Sequence, residues 1–184
     1  MYAYAEAHLW PVQSLEAVGL RAVAAHTSMV GLMPDLLPVV PEGFTVVPLS
    51  DVGDPPLRLA SQQTYSDRIG HTVVPPQAAQ PDFGGTDDTL SRVAFDAAGE
   101  PVGLCRASLE GEVLTFGTPG VRADARGTGL RRALTLSVCQ AARARGARSV
   151  VVEGWGDTPE ELAEETALGW TLESATPIFS SVPR

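Results

Sequence analysis

Val121-Arg-Ala-Asp-Ala-Arg126-Gly127-Thr128-Gly129-Leu130-Arg131-Arg132-Ala-Leu134 is the stretch whose reading decides the fold. An apolar run ends at Val121, two glycines follow, and a helical pattern begins at once. A glycine turn that opens a helix leaves several backbone N–H groups unpaired and pointing one way. The helix dipole adds partial positive charge at the same place, so the turn suits a phosphate-bearing ligand. Leu130, Leu134, Val138, Ala141 and Ala142 then recur at helical spacing, with arginines mostly on other faces. Gly146 is placed to end that helix, and Ser149-Val-Val-Val-Glu153 reads as a buried strand. Thr158-Pro159-Glu160-Glu161 predicts a helix start, with Thr158 capping, Pro159 in the first turn and Glu161 closing a capping box. Gly169 ends this helix and Trp170-Thr-Leu opens another strand.

This order of elements resembles the GNAT superfamily of acyl-CoA-dependent N-acyltransferases. The family's loop reads Gln/Arg-x-x-Gly-x-Gly/Ala; Arg126 and Gly129 match it, and Arg131 stands where Gly or Ala is usual. The lead-in Val-x-Pro-x-x-Arg-Gly is present from Val121 to Gly127, with Ala123 in place of Pro, and Leu168-Gly169-Trp170 corresponds to Leu-Gly-Phe. The resemblance runs from Phe44 to the C-terminus and is strongest after Glu112. It implies an α/β (α+β) fold, a mixed, mostly antiparallel sheet flanked by helices. It also implies acetyl-CoA, or another acyl-CoA, as acyl donor. By resemblance, Val121 orients the pantetheine arm and the loop of Arg126, Gly127, Thr128, Gly129, Leu130, Arg131 and Arg132 holds the pyrophosphate. Thr158 stands where the family has Asn at the next helix start, although capping alone explains it. Arg131 either crowds a phosphate or points outward and pairs with one, and the second is the expectation.

The acid and base are less marked. The family's Tyr, four residues before the glycine of Leu-Gly-Phe, is Glu165 here. It serves as an acid only with a raised pKa; otherwise it is a solvated carboxylate among Glu160, Glu161 and Glu164. Glu112, near the start of the strand where several family members carry a carboxylate, is the candidate base, or simply a turn-edge residue beside Gly111. Tyr65 and His71 flank the wall of the acceptor site that the resemblance implies, a long Pro-, Gly- and Asp-rich loop after a helix beginning near Asp54. Leu90 to Ala107 reads as a hairpin turning at Ala98-Gly99. No Ser-His-Asp triad or zinc-ligand spacing is present in the sequence.

The N-terminus repeats this pattern. Gly169 to Phe179 aligns without gaps on Gly19 to Met29, an offset of 150 residues, and a helix-like run and an apolar segment precede each glycine. Residues 1–40 therefore read as the strand–helix–strand tail of a preceding repeat, or else as an ordinary strand–helix–strand decoration, and 41–184 as one GNAT domain, with Pro41-Glu-Gly43 at the boundary. Such a tail leaves an open edge unless it packs on the main domain or is exchanged between copies. A homodimer is the expectation.

Composition excludes several classes. The chain of 184 residues is 44% hydrophobic, its mean hydropathy is near zero, and no apolar run spans a bilayer. No basic-then-apolar leader opens the sequence, and Cys105 and Cys139 form no disulfide framework, so a reducing, cytoplasmic location is expected. A net charge of −9 argues against nucleic acid. Against that background Arg122, Arg126, Arg131 and Arg132 gather at the glycine loop, which suits a polyanionic cofactor, while the acidic remainder either serves solubility alone or favours a cationic acceptor. The expected function is N-acetyl transfer from acetyl-CoA to a small amine. The alternative is a GNAT-like protein that binds CoA or a partner without catalysis, or that runs other chemistry.

Overall fold

The structure is a computed structural model that describes residues 2–4, 12–65 and 73–181. The strands are β1 (Tyr2–Tyr4), β2 (Arg21–Leu32), β3 (Phe44–Pro48), β4 (Arg92–Asp96), β5 (Pro101–Cys105), β6 (Ala107–Glu110), β7 (Val113–Gly117), β8 (Gly120–Val121), β9 (Ser149–Trp155) and β10 (Thr171–Ser180). The helices are α1 (Val12–Ala17), α2 (Pro55–Gln62), α3 (Leu130–Ala144) and α4 (Pro159–Thr166). The elements expected from the sequence are present: β3, the β4–β5 hairpin with Gly99 at φ +81°, α3, β9, and α4 with its complete Thr158–Glu161 capping box.

A six-stranded sheet has the order β1-β10-β2-β9-β7-β6, and a four-stranded sheet the order β3-β4-β5-β8. The stretch from Pro101 to Val121 belongs to both. Its β6 and β7 pair in the larger sheet, its β5 and β8 in the smaller. Pro119 has no N–H to give a ladder, and it falls where the strand changes partner. β7 runs parallel to β9, and the bond from Thr118 N–H to Glu153 O, 3.0 Å, is the last between them. Beyond it β8 bonds to β5 and not to β9, so the sheet splays open between β8 and β9.

The apolar stripe of α3 explains its placement. Leu130, Leu134, Val138 and Ala142 are all buried, and they share one core with Phe116, Val150, Val152 and Trp170. On the opposite side of the smaller sheet, Leu49, Val52, Tyr65, Val93 and Leu104 form a second cluster beneath α2. Cys105 and Cys139 sit in the main core as free thiols, and burial pushes both upward in pKa, Cys139 to about 12.

The N-terminal segment is interior to the sheet. β2 lies between β9 and β10, antiparallel to both. Its pairing with β10 is symmetric under the 150-residue offset. His26 pairs with Thr176, its own equivalent. Around that centre Thr27–Ala175 is matched by Ala25–Pro177, Met29–Leu172 by Ala22–Phe179, and Val30–Thr171 by Arg21–Ser180. Even the irregularities correspond, one skipping Val23 and the other Glu173. The two strands therefore meet across a local pseudo-twofold axis, flanked by β9 on one side and β1 on the other.

The segment from Val73 to Thr89 is tied to the body of the fold. It carries two short 3₁₀ turns, Pro76–Ala79 and Phe83–Gly85. Buried Asp88 ties it down between Arg58 and Arg106. Arg58 also donates to the carbonyls of Leu49, Ala79 and Gln80, and Arg106 to Gln62 and Ala78. No helix among the described residues is long and apolar enough to cross a membrane.

Candidate functional site

Two concavities meet at the splay. The first, about 520 Å³, runs from the glycine loop to the start of α4 and is lined by Val121, Arg126, Gly127, Gly129, Trp155 and Thr158 among others. Gly127 and Gly129 hold φ +74° and +89°, the left-handed region that favours glycine. Thr128 Oγ1 donates to Ala125 O at 2.7 Å and accepts from Leu130 N at 3.3 Å, which braces the loop from within. The N–H groups of Gly127, Thr128 and Gly129 meet no protein acceptor among the described residues. A Cβ built on Gly127 meets no atom within 4 Å, so the space before the loop is open. Three free donors at the positive end of a 15-residue helix fit a phosphate group.

The arginines divide. Arg126 lines the cleft, and its Nε donates to Val121 O at 2.9 Å. Leu130 is fully buried beneath the loop, so only its backbone belongs to the site. Arg132 is half-buried and outside the cleft lining. Arg122 pairs with Asp124 and Asp96. Arg131 corrects an expectation: its guanidinium is turned to α4 rather than toward a phosphate. It meets Glu164 at 2.9 Å, Glu165 at 2.5 Å and Glu161 at 3.7 Å. α4 presents three carboxylates to the start of α3, and each faces one nitrogen of the Arg131 guanidinium.

Glu165 is likewise not the solvated carboxylate that its acidic neighbours imply. It is 2% exposed, and its Oε2 has no hydrogen-bond partner. Burial pushes its pKa up to about 7, against the opposing charge of Arg131. The raised pKa that an acid needs is therefore present, but Glu165 lines neither cavity and reaches the first only through Arg131. A carboxyl with its pKa raised on folding weakens the fold once ionised. Stability is highest below the unfolded value and falls as pH rises through the window up to about 7. Glu165→Gln is therefore expected to melt with the parent at pH 4.5 and to be more stable at pH 8, on the order of 2–3 kcal/mol. Melting curves at the two pH values check this, and a variant less stable at pH 8 sinks it.

The second cavity, about 210 Å³, opens on the α2 side of the splay, and Trp155 lines both. Tyr65, Phe83 and Trp155 give it aromatic walls, and Glu153, Asp157 and Arg106 its charge. Tyr65 lines this cavity, buried over Gly120 with its pKa raised by burial. His71 lies outside the described residues. Glu153 accepts from His26 Nε2 at 2.8 Å and Ser28 Oγ at 3.4 Å. Asp157 Oδ2 accepts from Thr118 Oγ1 at 2.9 Å and Thr27 Oγ1 at 3.3 Å, closing over Gly154.

Glu112 is elsewhere. It is exposed at the opposite end of β7, paired with Arg148 at 3.1 Å. A five-residue strand puts it roughly 15 Å from the splay, too far to take a proton there. Glu153 and Asp157 were missed, although they follow a signal the sequence does contain: the C-terminal end of a buried strand before a helix start. In a sheet with parallel neighbours, ligands gather beyond those ends.

No sequence family and no curated protein matches the chain. Solved structures do. A GCN5-related N-acetyltransferase from Sphaerobacter thermophilus superposes with a TM-score of 0.68 at 21% identity, over 91% of this chain and 54% of that one. A GCN5-related N-acetyltransferase from Kribbella flavida gives 0.61 at 17%, over 97% and 66%. A tandem GNAT protein from the clavulanic acid biosynthesis pathway gives 0.59 at 18%, over 95% and 59%. The chain thus has a GNAT-like fold, and spans between just over half and two thirds of the length of these structures.

Proposed function

We propose that this chain binds an acyl-CoA in the cleft at the glycine loop and transfers the acyl group to an amine held in the smaller cavity. One observation carries the reading: the sheet opens between β8 and β9, with an anion cradle on one side and an acid-lined pocket on the other, sharing Trp155. Acetyl-CoA, or another acyl-CoA, supplies the acyl group as a thioester. The N–H groups of residues 127–129 and Arg126 hold its phosphates, and Val121 and Trp155 flank the passage between the two cavities. A carboxylate in the smaller cavity takes the proton that an ammonium must lose before it attacks.

Calorimetric titration with acetyl-CoA tests the cradle. We expect micromolar binding in the parent chain and none in Gly129→Glu, whose carboxylate and strained left-handed backbone both oppose an anion there. Absence of binding in the parent overturns the reading.

A second reading has its own support. The first cavity is lined by Glu160, Glu161 and Glu164 as well as by arginine, and Arg131 is committed to α4. That acidity favours a GNAT-like chain that binds a ligand without transferring an acyl group. Thiol release measured over a panel of amines separates the two: tight acetyl-CoA binding with no release on any amine favours the second.

A further inference from the structure

We infer that the smaller cavity selects a primary amine carried on a small apolar or aromatic body with no carboxylate beside it, and that His26, from the N-terminal segment, positions the carboxylate that receives it. The inference rests on the acyl-transfer reading for what happens to the amine, but not for the amine's binding.

The charge of the cavity carries the argument. Glu153 and Asp157 both line it. The one cation in the wall among the described residues, Arg106, is spent: Nε donates to Gln62 at 2.9 Å, Nη2 to Ala78 O at 3.0 Å, and Nη1 to Thr86 at 3.3 Å while facing Asp88. It is 8% exposed and lies over the Phe83 ring. An amino acid brings a carboxylate that would need a free donor fork and would face two carboxylates. A simple amine brings only the ammonium, which both carboxylates attract. Tyr65, Phe83 and Trp155 supply flat apolar walls, which suit an aromatic ring or a short chain.

Glu153 is the carboxylate on the α2 face of the sheet, where β9 alternates Val151, Glu153 and Trp155 outward from the core. Both groups that fix it come from β2. His26 stands opposite Trp155 and Ser28 opposite Glu153 in the β2–β9 ladder, so strand register sets the contacts. The His26 ring also meets the Trp155 ring edge-on at 4.7 Å. Asp157 is held from the same strand by Thr27. The N-terminal segment thus builds one side of the acceptor pocket. In the transfer itself the ammonium gives one proton to Glu153, the nitrogen bonds to the thioester carbonyl carbon, and the carbon–sulfur bond breaks. The remaining extra proton on nitrogen leaves with the thiolate, giving amide and free thiol, and Glu153 returns its proton to water.

The test compares two probes that differ by one carboxylate, 2-phenylethylamine and phenylalanine, by calorimetry without acetyl-CoA. The amine is expected to bind at least about tenfold tighter. Glu153→Gln should weaken the amine about tenfold and narrow the gap. His26→Gln should weaken it less, and the double variant should be no weaker than Glu153→Gln, since His26 acts through that carboxylate. Thermal melts confirm that each variant folds. Equal binding of the two probes, or amine binding unchanged in Glu153→Gln, overturns the site. Losses that add in the double variant overturn the positioning role of His26. Amine binding without acetyl-CoA binding leaves this site standing while the acyl-transfer reading falls; the converse result does the reverse.

Discussion

Replacing Trp170 by alanine is expected to destabilise the chain by about 3–5 kcal/mol. Trp170 is 1% exposed and packs edge-on against Phe116, ring centres 5.9 Å apart. Its Nε1 donates to Leu32 O at 3.1 Å, so it joins the main core to the end of β2. The fit is close: a Cβ on Gly31 would lie 2.5 Å from Trp170 Cδ1, so only glycine lets β2 pass so near the ring. The small residue leaves a cavity that this rigid surround cannot collapse, and the Leu32 carbonyl loses its partner. At roughly 2–4 °C per kcal/mol for a chain of this size, the midpoint should fall by about 6–20 °C. Trp170→Phe should recover most of that and lose mainly the hydrogen bond, about 1 kcal/mol. A calorimetric scan that finds alanine costing under 1 kcal/mol refutes the packing argument.

Asp88→Ala is expected to cost a comparable amount, about 3–5 kcal/mol, for a different reason. Asp88 is 4% exposed, between Arg58 at 5% and Arg106 at 8%. Its removal leaves two buried guanidinium groups facing each other without the intervening carboxylate. The backbone carbonyls that Arg58 and Arg106 also hold keep them in place, so neither cation escapes readily to water. The same change frees the segment that supplies Phe83 and Thr86 to the smaller cavity. Denaturant melts should show the stability loss. Limited proteolysis should show new cleavage between Val73 and Thr89, and an uncleaved, equally stable variant refutes the anchoring role.

The sequence made the backbone legible where chemistry is local. Gly127 and Gly129 announce left-handed turns, Thr158 and Glu161 a capping box, and Leu130, Leu134 and Val138 a buried stripe, because each signal lies within a few residues of its effect. The side chains that make the site were not legible in the same way. Glu165 is one of four glutamates in two pairs, Glu160-Glu161 and Glu164-Glu165, and nothing local tells that it is the one buried while Glu160 stays out. Arg131 was read against the loop beside it, but its partners lie more than 30 residues on. Glu153 and His26 come together only when β2 is laid between β9 and β10, a placement that follows from the 150-residue offset once the strands are known to pair.

That placement has a consequence for how the chain is made. Strand β2 belongs between two strands encoded more than a hundred residues later: His26 waits for Trp155 on one side and Thr176 on the other. On a ribosome adding roughly 5–20 residues per second, β2 emerges on the order of ten seconds before either neighbour. Through that interval a twelve-residue segment with both edges unpaired is offered to solvent, to chaperones or to other nascent chains. Closing the sheet must also overcome the entropy of a long loop before its contacts compensate, so β2 can take its place only after β9 and β10 have been made.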